Sequence, residues 1–298
     1  MIATVASAGL CTVQDGGRPG YEMVGVPTAG AWHRDRYACL AMLLGGSVEP
    51  AFPALELVAG DLVLDMHEPA AVAVVGPAEV TVNGHSAAAG VVLSLGSGQQ
   101  FAIRHVGRGP VYVGVIGWRP HRVLGSCSVD TFSRLGGQPV ARGDDLRGER
   151  ASSDRVGWFL RPEEPRGGPL RLVGLPGGLF DETCASSWRV VSSARSGTRL
   201  RSPSRVPSTG SIESFPVLPG TVQVTPDGEA IVLGPDGALT GGYPVVGVVA
   251  TSDLDRMSCL SPGDEMRFAI TDPTSAARAF AGIEAARIRR LVDPSRLS

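Results

Sequence analysis

Residues 220–253 read GTVQVTPDGEAIVLGPDGALTGGYPVVGVVATSD, three apolar runs rich in β-branched residues joined by two glycine-bearing connections. The runs 221–225, 229–233 and 243–250 have the length and composition of strands. Between the first two, Pro226-Asp227-Gly228 is a tight-turn signature, because proline presets φ and glycine accepts the positive φ that a Cβ opposes. The second connection opens on Asp236-Gly237 and closes on Thr240-Gly241-Gly242-Tyr243-Pro244. Paired glycines there let a backbone or a ligand approach closely, so the segment is either an ordinary hairpin loop or a ligand-facing turn.

The same grammar extends to both sides. Residues 55–58, 61–66, 70–75, 79–82, 91–95, 99–105 and 111–116 read as strands, punctuated by Ala59-Gly60, Asn83-Gly84 and Gly109-Pro110. Strands are also expected at 170–174, 189–191 and 266–270, with a short helix over 180–187. A helix is expected over 32–44, stopped by Gly45-Gly46, with its charged first turn facing solvent. Another starts at Pro273 behind Asp272 as N-cap, and its apolar stripe of Ala276, Phe280, Ile283 and Ala286 is expected to pack on a barrel. Arg287, Arg289 and Arg290 near its end suit the helix dipole and read as structural. Short strands at regular spacing imply a mainly β protein built as a closed barrel or sandwich, with a few short helices. Residues 136–168 are charged and rich in Gly and Pro, which places a domain boundary near 165 and gives lobes 1–165 and 166–298.

Composition narrows the chemistry. The 298 residues carry 40 Gly and 23 Pro, about a fifth of the chain, which suits many turns rather than long helices. A net charge of −2 argues against a nucleic-acid surface. All 27 basic residues are arginine, so no P-loop lysine, Schiff base or biotin attachment is available on this chain. The five cysteines and five histidines are scattered without ligand spacing, which predicts reduced thiols and no dedicated metal site. No basic leader or membrane-length apolar run is present in the sequence given, and a cytoplasmic protein is expected.

Two stretches concentrate functional side chains. Residues 12–30, TVQDGGRPGYEMVGVPTAG, gather Gln14, Asp15, Arg18 and Tyr21 among turn residues, as a surface cover or as a site. Arg189, Arg195, Arg199, Arg201 and Arg205 form either a solvated surface loop or an anion clamp for carboxylate or phosphate.

The motifs TVQD-x-GRPGY from Thr12, G-V-P-x-x-G at 25–30, A-L-E-L at 54–57, P-G-x-V-Q-V at 219–224, T-G-G-Y-P at 240–244 and L-x-P-G-D-x-x-R-F at 260–268 occur in one order. In that order the chain resembles the family called allophanate hydrolase subunit 2 or the 5-oxoprolinase C subunit, also described as Kip-type antagonist or biotin-dependent carboxyltransferase-like. The resemblance implies a two-lobed, cyclophilin-like β-barrel architecture. It implies a cytosolic hydrolase subunit of hetero-oligomeric, ATP-dependent 5-oxoprolinase, which opens 5-oxo-L-proline to L-glutamate. The implied partners are a Kip-inhibitor-like, allophanate hydrolase subunit 1-type protein and a 5-oxoprolinase A subunit. ATP and Mg would be shared with those partners, since phosphorylating a lactam oxygen creates a leaving group that water can displace.

Two alternatives stand beside it. One is a carboxyltransferase-like component for urea or another small amide, with biotin on another protein; the other is a non-catalytic regulator that binds the Kip-inhibitor-like partner. Asp15, Glu56, Asp236 and Tyr243 are the catalytic candidates, and Arg18, Tyr21, Arg195, Arg199, Gln223, Thr240, Gly241 and Gly242 the substrate-binding ones. The family's usual Asp is His33 here, its usual Asn positions are Met42 and Gly46, and its G-A-D is Gly76-Pro77-Ala78. Gly237 and Ala194 stand where an Arg and an Asp are usual. These losses of polar groups are what motivate the regulator alternative.

Overall fold

The computed structural model describes residues 1–47, 51–162, 166–174, 178–203, 206 and 210–296. The chain forms two compact units: Met1–Arg18 with Ala29–Glu163 and Arg287–Ser298, and Pro19–Thr28 with Glu164–Ala286. Among the described residues no helix is long and apolar enough to cross a membrane.

The first unit contains β1 (Ala3–Gln14), α1 (Arg34–Leu43), β2 (Ala54–Met66), β3 (Ala70–Val75), β4 (Ala78–Val82), β5 (His85–Ala87), β6 (Leu93–Leu95), β7 (Gln100–His105), β8 (Val111–Val115), β9 (Asp145–Leu146) and β10 (Phe159–Leu160). Nine of these strands form one sheet in the order β5-β4-β7-β2-β8-β3-β6, with β1 paired to both β2 and β9. Asn83 and Gly84, at φ of 50° and 77°, make the tight turn between β4 and β5 that the Asn-Gly pair calls for.

β3, AAVAVV, shows why some runs lack polar alternation: every residue in it is buried. Val72 and Val74 join the core that holds Leu55, Leu57 and Phe101. Ala71, Ala73 and Val75 join a second core with Leu40, Leu43 and Leu44 of the α1 region. With both faces covered, period-2 alternation divides two apolar sets rather than apolar from polar. The helix face of the sheet is kept shallow by small residues. Ala73 stands opposite Gly114 in the ladder, and a Cβ on Gly114 would lie 2.4 Å from Leu44 Cδ1 and 3.0 Å from Phe52 Cε1.

Two expectations change, and one strand had no expectation at all. Residues 55–58 and 61–66 are one strand, because the Ala59-Gly60 step is absorbed where the β1–β2 register shifts beside Leu10. β1 itself, whose burial is broken by those same shifts, carries no readable strand pattern. α1 starts at Arg34, with His33 Nδ1 accepting from Arg36 N, and its first turn is not solvated throughout: Asp35 is buried and accepts from Arg287 Nε at 2.7 Å.

The second unit holds β11 (Leu170–Val173), α2 (Gly178–Ala185), β12 (Ser187–Ala194), β13 (Gly197–Arg201), β14 (Phe215–Pro216), β15 (Thr221–Val224), β16 (Ala230–Leu233), β17 (Thr240–Gly241), β18 (Val245–Val249), α3 (Thr251–Met257) and β19 (Glu265–Thr271). Seven strands close a barrel in the order β11-β18-β15-β16-β13-β12-β19, the ring being completed by the parallel pairing of β11 with β19. This is the mainly β barrel architecture anticipated for the chain. β15 and β16 meet across the Pro226-Asp227-Gly228 turn with Val224 opposite Ala230. Trp188 is fully enclosed, packs edge-on to Phe268 at 6.4 Å between ring centres, and gives its indole N–H to Thr183 O.

α4 (Pro273–Arg290) and β20 (Leu291–Val292) follow, and β20 pairs antiparallel with β10 in the first unit. Asp272 caps α4, accepting from Ser275 N and Ser275 Oγ. No residue of α4 is fully buried; Ala276, Phe280, Ile283 and Ala286 are half-buried, so the expected stripe is covered only in part.

Placing a valine at Gly114 forces α1 off the sheet. Gly114→Val is expected to lower stability by about 1–3 kcal/mol, read from the shift of the urea midpoint at constant m-value.

Candidate functional site

In the first unit the chain after β1 turns inward. A buried polar segment must find its partners inside the protein. Asp15 supplies most of them. Its carboxylate accepts from Ser126 Oγ at 2.5 Å, Ser128 Oγ at 2.7 Å, Gly17 N at 2.8 Å and Cys127 N at 2.9 Å. Arg122 Nη1 adds an ion pair at 3.2 Å. The Asp15 backbone is engaged as well: its N–H donates to Ser128 Oγ and its carbonyl accepts from Ala31 N. Burial alone would raise the Asp15 pKa, but the Ser126 and Ser128 hydroxyls and the Cys127 and Gly17 N–H groups outweigh it and hold the carboxyl below its ordinary range.

The next residues tie a second carboxylate into the same fabric. Glu56, fully buried on β2, accepts from Trp32 N at 2.8 Å and from Tyr112 Oη at 2.6 Å, and Tyr112 Oη accepts from His33 N at 2.8 Å. Tyr37 lies edge-on to Tyr112 with 6.1 Å between ring centres and donates its hydroxyl to Phe52 O. Burial, then the Asp15 charge, pushes the Tyr37 hydroxyl pKa upward. Burial likewise raises the thiols of Cys127, beside Asp15, and Cys11, beside Glu56, so both stay protonated and neither is a nucleophile at neutral pH. Arg18 is enclosed, its Nη2 donating to Ser128 O, and Gln14 Nε2 donates to Thr12 Oγ1 and Val129 O.

The second unit holds two groupings. Arg195 and Asp236 form a buried, two-pronged pair, Nε to Oδ2 at 2.8 Å and Nη2 to Oδ1 at 2.7 Å, which pins the β12–β13 turn to the connection after β16. Gln223, buried on β15, donates from Nε2 to Tyr243 O at 3.3 Å. Gly241 permits that contact, since a Cβ there would sit 2.1 Å from Gln223 Nε2. Gly241, Gly242 and Tyr243 are half-buried and Thr240 is exposed, so this turn reaches solvent.

Asp15, Arg18 and Glu56 therefore belong to one network in the first unit, and Gln223, Gly241, Gly242 and Tyr243 meet at one turn in the second, with Thr240 leading into it. Arg195 and Asp236 engage each other. Arg199 is apart, exposed and 3.8 Å from Glu229. Tyr21 belongs to the second unit, partly exposed beside the 3₁₀ turn Glu22–Val24. Of the arginines between 189 and 205, Arg189 faces Glu265, Arg195 faces Asp236, and Arg199 and Arg201 share Glu229; Arg205 lies outside the described residues. Arg122, Tyr112, Ser126 and Ser128 were not legible as members of the network, since each lies more than fifty residues from the carboxylate it serves. The polar run Ser126-Cys127-Ser128-Val129-Asp130 was the available hint.

The fold has counterparts among solved proteins. The chain belongs to the carboxyltransferase domain family, subdomain A and B, whose model matches residues 24–270. It is 28% identical to the C subunit of 5-oxoprolinase from Escherichia coli (strain K12), over 90% of each chain. The solved structure of TTHA0988 superposes with a TM-score of 0.82 at 29% identity, over 90% of this chain and 56% of that one. Kluyveromyces lactis urea carboxylase has the same fold, with a TM-score of 0.82 at 21% identity over 96% of this chain and 29% of that one. The chain thus spans about half of TTHA0988 and under a third of urea carboxylase.

Asp15→Ala is expected to cost about 3–5 kcal/mol, because it leaves the buried Ser126, Ser128 and Cys127 donors without their shared acceptor, while Arg122 keeps Gly125 O and Ala51 O. For the charge itself the sign is set by a folded pKa lying below the unfolded one. That contribution is complete above about pH 4, the unfolded value, and is lost as pH falls through the folded value. Asp15→Asn should therefore flatten the acid limb of a stability–pH curve measured by urea unfolding.

Proposed function

We propose that the chain is a subunit of an ATP-dependent 5-oxoprolinase, acting with a Kip-inhibitor-like, allophanate hydrolase subunit 1-type protein and a 5-oxoprolinase A subunit. The observation that carries this reading is the likeness to the E. coli 5-oxoprolinase C subunit along 90% of both chains. That this chain covers only 56% of TTHA0988 supports a companion polypeptide for this chain.

Nucleotide and magnesium are assigned in this reading to the assembly as a whole. Among the described residues no three His, Cys, Asp or Glu side chains gather to hold a metal ion, and the chain has no lysine for a phosphate. In this reading those groups are shared with the partners, and this chain binds and orients the lactam. The turn at Thr240–Tyr243 offers half-buried backbone N–H groups of Gly242 and Tyr243 to a carbonyl or carboxylate, held in place by Gln223. The Tyr243 ring is the wall of that site, while Arg199, which stands apart from it, is a surface cation only loosely tied to Glu229. Asp15, Glu56 and Arg18 act by fixing their own segments of the first unit, and Arg195 with Asp236 does the same in the second. Tyr21 contributes from the partly exposed 19–28 segment.

The test is reconstitution. The chain, a Kip-inhibitor-like protein and a 5-oxoprolinase A subunit are mixed with 5-oxo-L-proline and ATP, and glutamate is measured. Glutamate should appear from the full mixture and not from the chain alone, and Tyr243→Ala should lower kcat/KM about tenfold or more. No glutamate from the full mixture rejects the reading. Urea-dependent turnover with a biotin carrier would instead select the carboxyltransferase alternative, which the fold shared with urea carboxylase motivates. Partner binding without turnover on either would select the regulator.

A further inference from the structure

The two glycines of the Thr240–Tyr243 turn differ in what the fold asks of them. Neither has the positive φ that favours glycine. Gly241 must be bare, because a Cβ there would sit 2.1 Å from Gln223 Nε2. Gly242 has no such duty. A Cβ on it would meet Ile212 O at 3.4 Å and Ser214 Oγ at 3.6 Å, which are ordinary contact distances. Packing therefore does not require glycine at 242, and its bareness leaves one face of the backbone open to close approach.

The groups around that face are polar and unengaged. Phe215 pairs with Gly241 and Pro216 with Thr240, and the same register continued one step sets Ser214 opposite Gly242. Opposed residues of a ladder share a face and successive ones alternate, so Gly241 turns toward buried Gln223 while Gly242 and Ser214 share the other side. Ile212 N donates to Gly242 O at 2.8 Å and Val217 N to Leu239 O at 2.9 Å, which fixes the 212–217 segment against the turn. Among the described residues Ile212 O accepts no hydrogen bond, Ser214 Oγ makes none, and the N–H groups of Gly242 and Tyr243 donate to nothing. Ile212 and Ser214 are both exposed.

We propose that residues 212–214 read the N–H edge of the bound amide. Ile212 O accepts from the ligand N–H with Ser214 Oγ beside it, while the Gly242 and Tyr243 N–H groups take the amide oxygen. A carbonyl can only accept and a backbone N–H can only donate, so the site calls for a ligand that brings one donor and one acceptor. The edge of a lactam carries both side by side. A ketone of the same shape carries the acceptor alone and leaves Ile212 O unpaired. Ser214 is then a specificity-determining residue. The inference rests on the 5-oxoprolinase reading and deepens it, by naming the atoms that tell a lactam from its carbon isostere.

The test uses the reconstituted mixture of the chain, the Kip-inhibitor-like protein and the 5-oxoprolinase A subunit. The KM for 5-oxo-L-proline is compared with the Ki of 3-oxocyclopentane-1-carboxylate, in which CH2 replaces the ring N–H, as a competitor of glutamate formation. With the wild-type chain Ki should exceed KM about tenfold or more. Ser214→Ala should raise KM about threefold to tenfold and leave Ki unchanged, and Ser214→Thr, which keeps the hydroxyl, should keep the wild-type preference. Gly242→Ala should raise KM and Ki together at an unchanged thermal midpoint, because its Cβ fits the fold but occupies the ligand's place. A ketone held as tightly as the lactam, an unchanged preference in Ser214→Ala, or wild-type constants in Gly242→Ala overturns the inference and leaves the 5-oxoprolinase reading standing. No glutamate from the wild-type mixture rejects that reading, and the inference falls with it.

Discussion

The carboxylate of Asp15 is the constraint on which the first unit rests. Removing a charge from water is unfavourable by several kcal/mol unless its surroundings replace the lost hydration, and here they do so through hydroxyls, backbone N–H groups and one guanidinium. Those donors come from remote parts of the chain, so satisfying one side chain fixes the positions of the 15–18 and 126–128 segments together. The Asp15 carbonyl extends the hold to Ala31, and Trp32 passes it to Glu56. Helix α1 then starts from a segment already fixed at both neighbouring residues.

Much of the fold was legible because its signals are local. The Pro226-Asp227-Gly228 and Asn83-Gly84 turns state their geometry in two or three residues, and the strands beside them fall where the apolar runs are. The helix cap at Asp272 is equally local. What could not be read depends on partners far along the chain. β1 is a strand because β2 lies beside it, and its own pattern is scrambled by shifts in register. Asp35 looked like a solvent-facing charge at a helix start, yet Arg287, more than 250 residues on, makes it a buried anion.

The candidate site shows the same division. The motif residues Asp15, Gln223 and Gly241 could be singled out in advance, but not what each touches. Arg195 illustrates the difficulty: an arginine among arginines suggests a clamp for an external anion, while Asp236 forty-one residues later already occupies its fork. Having no lysine, the chain meets several internal carboxylates with guanidinium, while Glu56 is held by an N–H and a phenol. Arg171 grips Asp253 through Nε and Nη2 in the second unit, where burial works to raise the Asp253 pKa and the Arg171 bonds prevail and lower it.

The way the two units share the polypeptide bears on how they come into being. β20, the partner of β10, is read from codons near the 3′ end of the coding sequence given, and the barrel's ring waits for β19 to reach β11. During synthesis the first unit therefore leaves the ribosome with β10 bonded on one side only, to the 90–92 segment, and it is finished only after the second has been translated. Premature termination ahead of Arg287 would spare the barrel's strands and injure the half of the molecule that was made first.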